Sequence, residues 1–197
     1  MKRLIAILLL VSSAVLAAPF SHDGFFANAA VGLGYASFEN ADGEESLTAS
    51  GLGVKLHGKL GYYVVQNLAL HANLGYVAYP NFRETRNGIP TQVFHDFAVV
   101  SSVYLGAGVT YYVPDWNNVF VSGSLGATGY ELDSRRMKGD TGLRAFSFEV
   151  GVGKEWYVFE SLGLGISASF ESAEYWSERD GVFRSSSIML LFSITYD

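Results

Sequence analysis

The chain of 197 residues contains no cysteine. That absence excludes a disulfide scaffold, a Cys-ligated zinc and a lipid anchor on cysteine. Proline is scarce, with 4 residues, and charged residues make up only 16%. The surface of a soluble domain usually carries about 25–35% charged residues. Basic charge is in deficit: 13 Lys and Arg stand against 19 Asp and Glu, a formal net charge of −6. A nucleic-acid partner selects a basic face, so that class is not expected. Beyond the N-terminal segment, no apolar run reaches the roughly 20 residues with which a helix crosses a bilayer.

What is abundant points the other way. Glycine reaches 22 residues, with 12 Tyr and 14 Phe. Within hydrocarbon, only a helix or a closed barrel pairs every backbone group. A Gly- and aromatic-rich chain of low charge, without a helical span, is therefore expected to be a transmembrane β-barrel.

The N-terminus reads as a secretion signal. Lys2 and Arg3 form a basic n-region, residues 4–11 an apolar h-region, and Val15-Leu16-Ala17 a small-residue cleavage site. The expected signal is 1–17, with cleavage after Ala17 or Ala18, leaving a barrel domain over 18–197. Removing Lys2 and Arg3 takes the net charge from −6 to −8.

A period of two runs through the rest. Over 51–64, Leu52, Val54, Leu56, Leu60, Tyr62 and Val64 share one face, broken only by Gly58. Gly51, Gly53, Lys55, His57, Lys59, Gly61 and Tyr63 share the other. Successive side chains of a strand point to opposite sides, so this is a strand with an oily and a polar face. The same alternation recurs near 25–37, 68–79, 96–113, 118–131, 144–158, 162–173 and 187–196. Met189 and Leu191 weaken the inner face of the last segment. Connections alternate in length. Short ones lie near 66–67, 114–117 and 160–161, and long polar ones near 38–50, 80–95, 132–143 and 174–186. The pattern predicts an all-β, eight-stranded, antiparallel up-and-down barrel.

Periodicity does not say which face is outside, since a lipocalin hides its apolar face. Here the polar face is mostly Gly, Ala, Ser and Thr, which suits a crowded lumen rather than water. The apolar face carries charge only near strand ends, at Glu131, Arg144 and Lys154. Tyr62, Tyr111, Trp156 and Tyr196 fall on that face near one end, as an interfacial aromatic girdle would.

With this pattern in view, the chain resembles the small outer-membrane barrels of the OmpX and OmpA-transmembrane-domain type. Ile188, Leu190, Phe192, Ile194 and Tyr196 look like the C-terminal assembly signal of such barrels, although here Asp197 follows the aromatic. The resemblance implies residence in the bacterial outer membrane. It also implies contact with its lipid and lipopolysaccharide, and assembly by periplasmic chaperones and the barrel-assembly machinery. A closed barrel leaves no free edge, so a monomer is expected.

The inner face holds the residues that could carry chemistry: Lys55, His57, Lys59, His71, Asn73, Glu149, Glu155 and Glu171. Basic groups cluster on the second and third strands and acidic ones on the sixth and seventh. Buried charges must be paired or hydrated, so a polar network plugging the lumen is expected. A narrow gated pore lined by the same groups is the alternative. His95-Asp96, a neighbouring His–Asp pair near the outer end of the fourth segment, would serve a barrel enzyme acting on lipid A. Adjacent strand residues face opposite sides, however, and no partner serine is evident, so no catalytic residue is assigned. No cofactor or metal is expected, because the four histidines are scattered in strand and facing. The loops, acidic at Glu39, Asp42, Glu44 and Glu45, basic at Arg135, Arg136 and Lys138, and aromatic at Tyr175, Trp176 and Phe183, offer a surface for recognition.

Overall fold

The computed structural model describes residues 22–42, 45–86, 89–90, 99–133, 138–177 and 181–197. The expected signal segment, Glu44, His95, Asp96, Arg135 and Arg136 lie outside the described residues, as do the side chains of Asp42, Glu45, Lys138, Trp176 and Phe183.

Eight long strands follow one another: β1 (Phe25–Asp42), β2 (Glu45–Val65), β3 (Leu68–Arg86), β4 (Val99–Tyr112), β5 (Val119–Asp133), β6 (Lys138–Phe159), β7 (Leu162–Ser177) and β8 (Gly181–Tyr196). Ile89–Pro90 fold back antiparallel beside Thr85 and Arg86 at the outer end of β3. Each strand pairs antiparallel with its chain neighbours, and β1 pairs with β8 to close the sheet.

The register fixes the barrel's geometry. From Asn28, paired residues run through Lys59, Asn73, Gly106, Gly126, Ser147, Ala173 and Ser185. Ser185 pairs with Phe38, so one circuit returns to β1 ten residues further along. A stagger of ten over eight strands tilts them by about 40° and gives a backbone cylinder of about 8 Å radius. Such a lumen is filled by the side chains that point into it.

The apolar face is outside. Leu33, Leu125 and Phe192 are 66%, 60% and 57% exposed, and comparable residues form a belt on every strand. The charges on this face sit at its margins. Glu131 and Arg144 are exposed near the outer ends of β5 and β6. Lys154, nearer the other end, donates to the Asn117 carbonyl at 2.7 Å and lies over the Trp156 ring.

The short turns use residues suited to them. Asn67 has φ 68°, and Asp115, Asn117 and Asn118 have φ of 68°, 50° and 60°. Asn and Asp tolerate this left-handed region because their side chains hydrogen-bond locally. The long connections differ from expectation. Much of 38–50, 80–86, 138–143 and 174–177 is strand, with pairing continuing to Asp42↔Glu45. Pairing needs only backbone hydrogen bonds, whereas the oily-polar alternation ends where the belt ends. The alternation therefore marked the belt and not the strand.

Leu125→Arg, mid-belt, is expected to cost about 2–4 kcal/mol of unfolding free energy in phospholipid vesicles, and Arg144→Leu, at the margin, no more than about 1. Denaturant titration of both variants checks this; equal effects would contradict an outward apolar belt.

Candidate functional site: a polar network in the lumen

Lumen side chains come from alternate positions of all eight strands, and they sort into three storeys. In the middle, Lys55 on β2 reaches across to the opposite wall. Its Nζ donates to Glu149 Oε2 on β6 at 2.5 Å and to Glu171 Oε2 on β7 at 2.9 Å. Lys55 is fully buried, and Glu149 and Glu171 are nearly so. The ammonium thus has two carboxylates within contact. Each is held further: His57 Nδ1 lies 3.8 Å from Glu149 Oε1, and Thr128 Oγ1 donates to Glu171 Oε1 at 3.5 Å. Thr128 in turn accepts from Ser147 at 2.6 Å. β2 and β6 face each other in an eight-stranded barrel, so this one cluster crosses the full bore.

The lower storey is neutral hydrogen bonding around one carboxylate. Glu155 accepts from Thr195 at 2.6 Å and from Tyr112 at 3.0 Å, and Asn28 donates to Thr195 at 2.8 Å. His71 bonds Asn73 through Nδ1 and Thr110 through Nε2, the latter at 2.9 Å. The Asn73 oxygen only accepts, so the His71 proton sits on Nδ1 and the Thr110 hydroxyl donates to Nε2. Phe26, Tyr63, Ala69, Tyr112 and Phe120 pack below as an aromatic layer.

That end is finished by a clasp between the two ends of the described chain. His22 Nδ1 lies 2.8 Å from Asp197 Oδ2, and Tyr63 donates to Asp197 Oδ1 at 2.9 Å. Tyr157 donates to the same carboxylate. The His22 ring stacks on Tyr112 with centroids 3.7 Å apart. The opposite storey is apolar. Ala36, Phe38, Val77, Tyr79, Met189 and Leu191 form a buried cluster, with Tyr130 packed against it. Phe38 meets Tyr79 and Tyr130 edge-on, at 5.4 and 5.7 Å.

All eight lumen candidates face inward. Lys55, His57, Glu149 and Glu171 come together; His71 and Asn73 form a second group, and Glu155 belongs to a third. Lys59 pairs across the backbone with Asn73 and enters none of these direct bonds among the described residues. The Asp197 clasp was not anticipated. Its signal was parity: two positions past Thr195, residue 197 must face inward. Tyr62, Tyr111 and Tyr196 are exposed on the belt and Trp156 half-buried there, close to the turn end. Ile188, Leu190, Phe192, Ile194 and Tyr196 line the outer face of β8. Among the described residues, no group of three His, Asp or Glu is arranged to hold a metal ion.

No family model and no curated relative matches this chain. Solved structures do. Neisserial surface protein A superimposes with a TM-score of 0.55 at 14% identity, covering 88% of this chain and 96% of that one. Ail, the attachment invasion locus protein of Yersinia pestis, gives 0.49 at 14% identity over 88% and 99%. OprG of Pseudomonas aeruginosa gives 0.43 at 11% over 89% and 97%. The first of these likenesses carries the fold alone: the chain is folded as a small, closed, eight-stranded β-barrel.

Lys55→Met leaves two buried carboxylates facing each other without a cation. It is expected to cost about 3–5 kcal/mol, and the triple variant with Glu149→Gln and Glu171→Gln to recover most of that loss. Urea midpoints of the refolded proteins measure both.

Proposed function

We propose that the protein resides in the bacterial outer membrane, delivered there after cleavage of its signal. On this reading it is a closed barrel with a structural and surface-interaction role, not a channel. One observation carries this: the Lys55–Glu149–Glu171 cluster bridges opposite walls. The apolar storey above and the Asp197 clasp below add two further obstacles. Breaking the bridge would strand charge in a narrow bore, so the closed arrangement favours itself.

The belt then meets lipid and lipopolysaccharide. Tyr62, Tyr111, Trp156 and Tyr196 serve as interfacial anchors near the periplasmic turns. Ile188, Leu190, Phe192, Ile194 and Tyr196 are the strand that the assembly machinery reads. The barrel acts as a monomer and uses no metal or cofactor. The hairpins beyond the belt present the surface that recognises partners. Their side chains include the exposed Glu39 and the exposed Arg184 paired with half-buried Glu174, their charged atoms 3.3 Å apart. Recognition there is favoured by a rigid scaffold below.

The test is direct. Protein extracted from outer membranes should migrate differently boiled and unboiled, and should give no conductance steps in planar bilayers above a detergent control. Discrete steps that vanish on heating would replace the closed barrel with a narrow pore.

A further inference from the structure

Between the Lys55 cluster and the Glu155 network lies an internal cavity of about 20 Å³. His57, Ser169 and Ser193 line it. They are 5%, 5% and 7% exposed. His57 Nε2, Ser169 Oγ and Ser193 Oγ are all buried without a hydrogen-bond partner in the protein. Buried polar atoms in folded proteins are almost always paired, with protein or with ordered water. Three exceptions around one cavity therefore describe a site and not three separate defects.

Lys59 lines the same cavity, as do Glu149 and Glu155. Among the described residues Lys59 makes no direct ion pair.

We propose that the cavity is a built hydration site, holding one or two waters that satisfy the three orphan atoms and link Lys59 to Glu149 and Glu155. The size fits, since a water needs about 10–15 Å³ of such space and two to four polar partners. The charges choose water over an ion. The lining holds one lysine, Lys59, against two carboxyl groups, Glu149 and Glu155, so basic charge is in deficit there and an anion is disfavoured. A cation would have to share the cavity with the Lys59 ammonium. Water alone can accept from the lysine and also donate to the carboxylates. It joins the middle and lower storeys into one hydrogen-bonded chain, from Glu171 through Lys55 and Glu149 to Glu155 and Tyr112. Lys59 then becomes the charge that this water secures, not a spare cation lining a pore. The inference deepens the closed-barrel reading and rests on it, because a conducting lumen would exchange such water freely.

The test is crystallography of the refolded mature protein at a resolution that shows solvent, with parallel bromide and rubidium soaks. The expected result is one or two ordered peaks within hydrogen-bond distance of His57 Nε2, Ser169 Oγ and Ser193 Oγ, with no anomalous signal. The Ser169→Val, Ser193→Val double variant, checked for folding by its heat-modifiable migration, should lose those peaks. An anomalous bromide or rubidium peak overturns the assignment in favour of an ion site. Absence of density in the wild type overturns it in favour of a dry cavity. Planar-bilayer conductance of the same preparation separates failure of this site from failure of the closed-barrel reading.

Discussion

Closure of the sheet between β1 and β8 is the constraint on which the rest of the molecule depends. In hydrocarbon an unpaired backbone amide or carbonyl is costly, so a sheet there must have no edge. Closing eight strands with a stagger of ten sets both the tilt and the bore. That bore is narrow enough for a lysine on one wall to touch carboxylates on the opposite one, as Lys55 does with Glu149. The ion cluster is thus a result of the stagger, and the outward belt is its counterpart on the other face. One alternation, read twice, makes an oily exterior and a charged interior.

The interior tolerates its charges because they are arranged in order. Among the described residues, the lysine bonded directly to carboxylates, Lys55, has two of them, and each of those has a further polar neighbour. Glu155 has two hydroxyl donors. Apolar packing takes over where no partner is on hand, in the Phe38–Tyr79–Met189 storey. Glycine makes room for the large side chains. A Cβ at Gly53 would come within 2.5 Å of the Tyr79 ring. The same holds at Gly106 beside Tyr104 and at Gly153 beside Phe120, where a ring lies in the place a side chain would take.

Much of this was legible in the sequence, for a physical reason. Strand parity is a local property, so the inward facing of Lys55, His57, Lys59, His71, Asn73, Glu149, Glu155 and Glu171 could be read from alternation. The local pairing of Lys59 with Asn73 followed from the tight turn at Asn67. Which distant groups meet could not be read, because that depends on the stagger summed around the whole sheet and on its bulges, near Leu52 and Gly129 for example. Met189 and Leu191, which weakened the inner face of β8 on paper, belong to an apolar storey whose other members lie on β1 and β3. The outer ends of β1, β2, β3, β6, β7 and β8 extend beyond the alternation, because alternation follows the apolar belt and backbone pairing continues past it.

The Asp197 clasp also has a meaning in time. His22 and Asp197 are separated by 175 positions. His22 leaves the ribosome well before Asp197. Their contact requires β8 to be seated against β1, the pairing of longest range in the sheet and hence the slowest to find. The clasp is therefore a record of completed closure, since it joins the first and last strands of the sheet.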